Sequence, residues 1–234
     1  MKRVLFALFL LSAPGWAQDK PPERLLISLK YINPSQLQNL IHPYGVNFNF
    51  NEEMKVITLS GPSDAVDAAA AMIRQLDVAP KDIELTVYYM VGSAGEYDNL
   101  GSVPPKELEP VVAQLKNAFT FKNYRLLDVL VLRSRTGQQA SSSANLGTVN
   151  AANGNVQPII GQFGMRSATL APDGSTVRLD GMKLNLRWPA AGTYLDLSLN
   201  TDVDIKEGQK VVVGRLGITH DQALFLVLTA KVVN

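Results

Sequence analysis

Apolar and polar positions behind the first two dozen residues fall into a strand-helix-strand-strand-helix-strand series. Ile27-Ser28-Leu29-Lys30-Tyr31 alternates, the period of a half-buried strand. Asn33-Pro34-Ser35-Gln36 predicts a helix start, with Asn33 as cap, Pro34 in the first turn and Gln36 placed for a capping box. Leu37, Leu40, Ile41 and Tyr44 then share one helix face, and Gly45 supplies a left-handed residue to end it. Val46-Asn47-Phe48-Asn49-Phe50-Asn51 predicts a strand with one wet face, and Val56 to Ser60 its hairpin partner. After Gly61-Pro62 a second helix carries Asp64 and Asp67 near its positive end and Arg74 near its negative end. Its buried stripe is Val66, Ala69, Ala70, Ile73 and Leu76. Ile83, Leu85, Val87, Tyr89 and Val91 alternate with Glu84, Thr86, Tyr88 and Met90, giving the module's last strand or a strand that leads into the next domain.

The pattern changes beyond residue 91. Residues 92–103, rich in Gly and Ser, read as a linker. Leu108, Val111, Val112, Leu115 and Phe119 share one helix face, and Pro110 fits only at the start of that helix, since an interior proline costs about 3 kcal/mol. Strands are predicted at Tyr124 to Arg133, Pro158 to Leu170, Thr176 to Trp188, Thr193 to Asn200, Lys210 to Leu216 and Ala223 to Val233, with Asp173-Gly174 as a hairpin signal. Gly137 to Asn155, with few large apolar side chains, is expected to be a mobile loop or hairpin tip that is solvated or orders on a partner. The fold class is therefore α+β. Residues 25–91 form a βαββαβ module, and residues 104–234 a mostly antiparallel, sandwich-like β domain with one helix at its edge or over one end.

The N-terminus changes which residues count. Lys2 and Arg3 precede the apolar run Val4 to Leu11, and Gly15 and Ala17 are the small residues a signal peptidase reads. The run is too short to span a bilayer, so residues 1–17 are expected to be a cleaved signal peptide and the mature chain to be periplasmic. Cleavage removes two positive charges and leaves 20 Lys and Arg against 21 Asp and Glu. A near-neutral chain has no electrostatic footprint for nucleic acid or an anionic membrane. Cysteine is absent, which excludes disulfides, thiolate metal sites and cysteine nucleophiles.

One order of residues carries a resemblance. A strand, a short helix opening Pro34-Ser35-Gln36-Leu37, a strand pair ending Ile57-Thr58-Leu59-Ser60-Gly61, a helix running Ala71-Met72-Ile73-Arg74-Gln75-Leu76-Asp77, then Ala79-Pro80 and Ile83-Glu84-Leu85 resemble the periplasmic N-domains of secretins. Those domains are similar in fold to KH modules and stack into rings beneath an outer-membrane pore, where they mediate subunit contacts and docking. The resemblance covers about residues 25–91 and implies no catalytic residue. Glu207-Gly208-Gln209-Lys210-Val211-Val212-Val213-Gly214-Arg215-Leu216 also resembles a stretch of the secretin pore domain, but no Val-Pro-x-Leu-Gly-x-Ile-Pro motif follows it, so no gated channel is expected.

Candidate chemistry is sparse. The two histidines, His42 and His220, belong to different halves and lack zinc-site spacing, and no phosphate-cradling or nucleophile-elbow motif occurs. Asp128 interrupts the apolar run from Leu126 to Leu132, where burial would mark a functional acid unless the strand turns it to solvent. Tyr88-Tyr89 and Phe48 with Phe50 are expected to be packing residues, with ligand stacking as the alternative. The expectation is a non-enzymatic periplasmic assembly module that docks on itself, a secretin or another envelope protein, with no cofactor and no catalytic or metal site. The alternatives are a hydrolase using carboxylates such as Asp128 or Asp180, and a carbohydrate or small-ligand binder with an exposed aromatic platform.

Overall fold

The computed structural model describes residues 22–95, 100–150, 155–190 and 193–233; the expected signal segment lies outside them. The chain divides into two compact units, with the division between Ala79 and Pro80.

The first unit is a three-stranded antiparallel sheet, ordered β1-β3-β2, with helices on one face. Its strands are β1 (Glu23–Ser28), β2 (Asn47–Asn51) and β3 (Val56–Gly61). Asn47, Asn49 and Asn51 are exposed and Phe48 and Phe50 half-buried, as the alternation requires. The first helical segment is a chain of short turns: a 3-10 turn at Pro34–Leu37, α1 (Gln38–Ile41) and a second 3-10 turn at His42–Tyr44 ending on Gly45 at φ 67°. The expected capping box does not form. In a 3-10 first turn the Gln36 N–H donates to the Asn33 carbonyl at 3.0 Å, taking the place of a side-chain cap. Leu37 and Ile41 are buried, but Leu40 faces out.

Helix α2 (Ser63–Leu76) buries Val66, Ala69, Ala70 and Ile73, whereas Leu76 is exposed at its end. Beyond it, Asp77 joins distant parts of the unit. Its Oδ2 accepts the Lys30 N–H at 2.8 Å, and its Oδ1 accepts those of Tyr31 at 2.7 Å and Ile32 at 3.1 Å. One carboxylate thus satisfies three donors in the loop after β1. Partial burial pulls the Asp77 carboxyl up, but the three backbone N–H groups and the Lys30 charge outweigh it and hold the group below the usual carboxylate range.

The second unit has three layers. A four-stranded antiparallel sheet is ordered β11-β12-β4-β5, from β4 (Asp82–Ser93), β5 (Asn123–Arg135), β11 (Val211–Thr219) and β12 (Gln222–Val233). A five-stranded sheet is built from β6 (Ala140–Asn150), β7 (Val156–Met165), β8 (Ser167–Leu170), β9 (Thr176–Ala190) and β10 (Thr193–Lys206). It is ordered β10-β9-β7-β6, and β8 pairs the first half of β9. Ile83, Leu85, Val87, Tyr89 and Val91 of β4 meet the five-stranded sheet across the larger core, with Phe163, Leu184 and Trp188 among their partners. On the other face, α3 (Glu109–Ala118) lays Leu108, Val111 and Leu115 over Tyr88, Met90, Ala223, Phe225 and Val227.

Three expectations change. The strand Ile83 to Val91 pairs along its whole length with β12 and β5, so it opens the second unit and the first module ends before Pro80. Residues 92–103 are accordingly no linker between units: Gly92 and Ser93 end β4, and Ser102 bridges to Leu126 through two backbone hydrogen bonds of 2.8 Å. The helix covers a sheet face rather than an edge or end, which explains why Tyr88 and Met90 are buried on the side the alternation marks as polar. The third concerns Gly137 to Asn155. Ala140–Asn150 is a strand paired with β7, its Leu146 buried and Ala140, Ala144 and Val149 packed on the core. Pairing to an existing strand satisfies the backbone of a segment too small-chained to show strand propensity. Gly161 makes room for Leu146, since a Cβ there would sit 2.8 Å from a Leu146 methyl. Residues 151–154 lie outside the described residues.

Replacing Asp77 with Ala leaves three loop N–H groups without their acceptor and is expected to cost about 1 kcal/mol, the scale of a lost cap. Because the folded-state carboxyl is lowered, its stabilisation is present above the unfolded value near ~3.9 and is lost as pH falls through the folded value. Urea unfolding at neutral and acid pH checks both: the variant's deficit shrinks in acid. A second expectation concerns Gly92, where a Cβ would lie 2.9 Å from Phe225 and 3.0 Å from Tyr124. Gly92→Ala overpacks that ring cluster and is expected to cost roughly 1–3 kcal/mol, measurable as a lowered Tm.

Candidate interaction surfaces

The titratable residues marked in the sequence do not converge. His42 is exposed in the turn before Gly45, with its ring edge-on to Phe48 at 5.6 Å between centroids. His220 is fully exposed in the turn before β12, with Nδ1 2.8 Å from Asp221 Oδ1. Asp180 lies on β9 and accepts the Ser167 hydroxyl at 3.2 Å. Asp128 lies on the other sheet, half-buried opposite Tyr89, where the β4–β5 register shifts by a bulge. No group of three His, Cys, Asp or Glu able to hold a metal occurs among the described residues.

The aromatic pairs are packing residues. Phe48 and Phe50 pack on the core of the first unit. Tyr88 belongs to the α3 side and donates its hydroxyl to Glu107 Oε1 at 2.8 Å; burial and the accepting carboxylate together push its pKa up to about 12. Tyr89 faces the opposite core, fully buried, with no hydrogen-bond partner for its hydroxyl among the described residues. Burial, then the Asp128 charge, raises it further, so it stays a neutral phenol at every physiological pH.

The segment Glu207 to Leu216 is a clasp. Glu207 Oε1 accepts the Val232 N–H at 2.9 Å, the Glu207 N–H donates to Ser175, and the Gly208 N–H donates to Ala230. Gly208 holds φ 75°, a conformation that favours glycine. The turn thus fastens the end of β12 to the β8–β9 turn before β11 begins. Asp173 stabilises that β8–β9 turn through the Ser175 and Thr176 N–H groups and the Thr176 hydroxyl, which hold its carboxyl down at about 2.

The first unit exposes strand edges and apolar side chains. Within it β1 and β2 pair only with β3, so each presents an unpaired edge among the described residues. Leu26 points outward from β1 and is 65% exposed, and Met54 in the β2–β3 turn is 69% exposed. Tyr31, Leu76 and Val78 are also exposed, and all three lie next to Asp77 or its loop partners. Six of the ten exposed large apolar side chains among the described residues belong to this unit, the smaller of the two. An unpaired edge beside exposed apolar groups can add a strand from another chain.

This α+β arrangement is a secretin-like fold. The structure of the type II secretin GspD from enteropathogenic Escherichia coli matches with a TM-score of 0.57 at 10% identity, over 90% of this chain and 87% of that one. The Vibrio cholerae type IV competence pilus secretin PilQ matches with a TM-score of 0.54 at 10% identity, over 93% and 79%. The secretin of the enterotoxigenic E. coli AspS–GspD pilotin–secretin complex matches at 0.56 and 12%, over 89% of this chain; this chain spans 62% of it, under two-thirds of its length. No family model and no curated protein matches the sequence. A match over nine-tenths of the chain cannot be confined to the first unit, so the likeness includes the second. No helix among the described residues is long and apolar enough to cross a membrane.

Tyr89→Phe removes a buried hydroxyl that has no partner, so stability is expected to stay within about 0.5 kcal/mol of the parent or to rise. Chemical denaturation decides it; a loss above about 1 kcal/mol would mean the hydroxyl is hydrogen-bonded in solution.

Proposed function

We propose that this chain is a non-enzymatic assembly module of a bacterial cell envelope, docking through its first unit on a like module, in a second copy or in a secretin. The observation that carries the reading is the secretin-like fold, which runs through both units. Two features of the first unit support it: the unpaired edges of β1 and β2, and the exposed Leu26 and Met54 beside them. The segment Lys2 to Ala17 supports export to the periplasm, where such docking would occur. A secretin has been solved in complex with a pilotin, as in AspS–GspD, which supports an envelope protein as the class of partner. The scattered positions of His42, His220, Asp128 and Asp180 favour binding over catalysis.

Docking by strand addition makes β1 the sensitive element. Light scattering of the purified chain, with in-cell cross-linking from a photoreactive residue at position 24, exposed on the same face of β1 as Leu26, tests it. The expected result is self-association or a cross-link to a secretin-type protein, weakened at least tenfold by Leu26→Asp. A chain that stays monomeric at all concentrations, and whose cross-links capture neither itself nor an envelope-assembly protein, overturns the reading.

A further inference from the structure

Three segments distant in sequence meet at one end of the first unit. The β2–β3 turn, residues 51–55, is fastened to the end of β1, where the Leu29 N–H donates to the Lys55 carbonyl at 2.7 Å. The loop after β1 is fastened in turn to the end of α2 by the three hydrogen bonds of Asp77. These ties gather Met54, Tyr31, Leu76 and Val78, four of the ten exposed large apolar side chains among the described residues. Apolar groups held together at one place yet left open to water mark a contact surface.

The charges around them are divided. The sheet order β1-β3-β2 puts the turn, with exposed Glu52 and Glu53, on one side of this end. The loop after β1 lies on the other side, and α2 packs over β1 and β3, so exposed Lys30 and Arg74 belong to that side. Two strand spacings, roughly 10 Å, separate the two. None of these four residues forms an ion pair among the described residues. Lys30 lies beyond ion-pair range of Asp77, whose carboxylate is already met by three N–H groups. Glu52, Glu53 and Asp77 balance Lys30, Lys55 and Arg74, so the end is neutral as a whole.

A neutral surface with its acids on one side and its bases on the other is complementary to itself. A uniformly charged partner would be repelled on one side. A second copy, related by a two-fold axis normal to the sheet, sets its β1 side against the β2 side of the first. We propose that two copies of this chain dock end to end here, Glu52 and Glu53 of each facing Lys30 and Arg74 of the other around a centre of Met54, Tyr31, Leu76 and Val78. A two-fold interface needs both members of every contact on one patch, and this end carries both. The apolar centre supplies the attraction, and the charges fix the register. The proposal rests on the reading of the first unit as a docking module, and it assigns a second copy to a surface separate from the strand edges.

Sedimentation velocity of the full chain over a concentration series tests it. Self-association is expected, weakened at least tenfold by Glu52→Lys with Glu53→Lys and, independently, by Lys30→Glu with Arg74→Glu. Mixed together, those two variants carry opposite charges at each contact, so they are expected to associate with each other within about threefold of the parent. Met54→Ser, which alters no charge, is expected to weaken association as well. If Lys30→Glu lowers the Tm by disturbing the Asp77 loop, Arg74→Glu alone takes its place in the mixture. A monomeric parent overturns the dimer, as does any of these variants associating as the parent does, or folded charge variants that fail to associate when mixed. Association weakened by Leu26→Asp but not by these changes overturns the dimer and leaves the docking reading standing. A monomeric chain that cross-links to a secretin does the same.

Discussion

The second unit depends on the burial of β4 on both faces. Val87, Tyr89 and Val91 face the five-stranded sheet, while Tyr88 and Met90 face α3, and β12 and β5 flank the strand on either side. Its partner β12 is buried in the same way, with Leu224, Leu226 and Leu228 on one side and Phe225 and Val227 on the other. Two adjacent strands with no wet face need a cover on each side. That requirement places α3 on one face of the sheet and the long β9–β10 hairpin on the other. It also accounts for Gly92, where Phe121, Tyr124 and Phe225 close in and leave no room for a side chain.

Strands and helices were legible where their surroundings follow from local pattern. The half-wet strand Val46 to Asn51 and the alanine-rich stripe of α2 appear as expected, because each has one buried face and the period reports it. The ownership of β4 was not legible, since alternation fixes which residues share a face and not which strands flank them. Strand β6 was missed for the opposite reason. Its Ser and Asn carry no apolar period, and it is held by pairing with β7 and by Leu146 fitting over Gly161, both contacts between parts of the chain distant from the local pattern.

Residues that hold the fold together were hidden in the same fashion. Asp77 stood in the sequence only as the end of a helix in a motif, yet it accepts three N–H groups from residues some 45 positions earlier. A carboxylate whose partners are main-chain donors leaves no side-chain signature to find. The Glu207-Gly208-Gln209 segment was recognised by resemblance, and its work here is to fasten β12 and the β8–β9 turn. Asp128 stands in the sequence as an acid in an apolar run. It is half-buried beside a bulge, and its effect is to help keep the Tyr89 phenol neutral.

The two units carry different kinds of surface, and this bears on what each can recognise. The first exposes strand edges and scattered apolar side chains, so it offers main-chain hydrogen bonds, which accept many sequences and gain specificity only from the side chains alongside. The second has its apolar groups buried between its two sheets and beneath α3. On the proposed reading, recognition by the first unit would therefore be permissive in sequence, with Leu26 and Met54 supplying what selectivity it has.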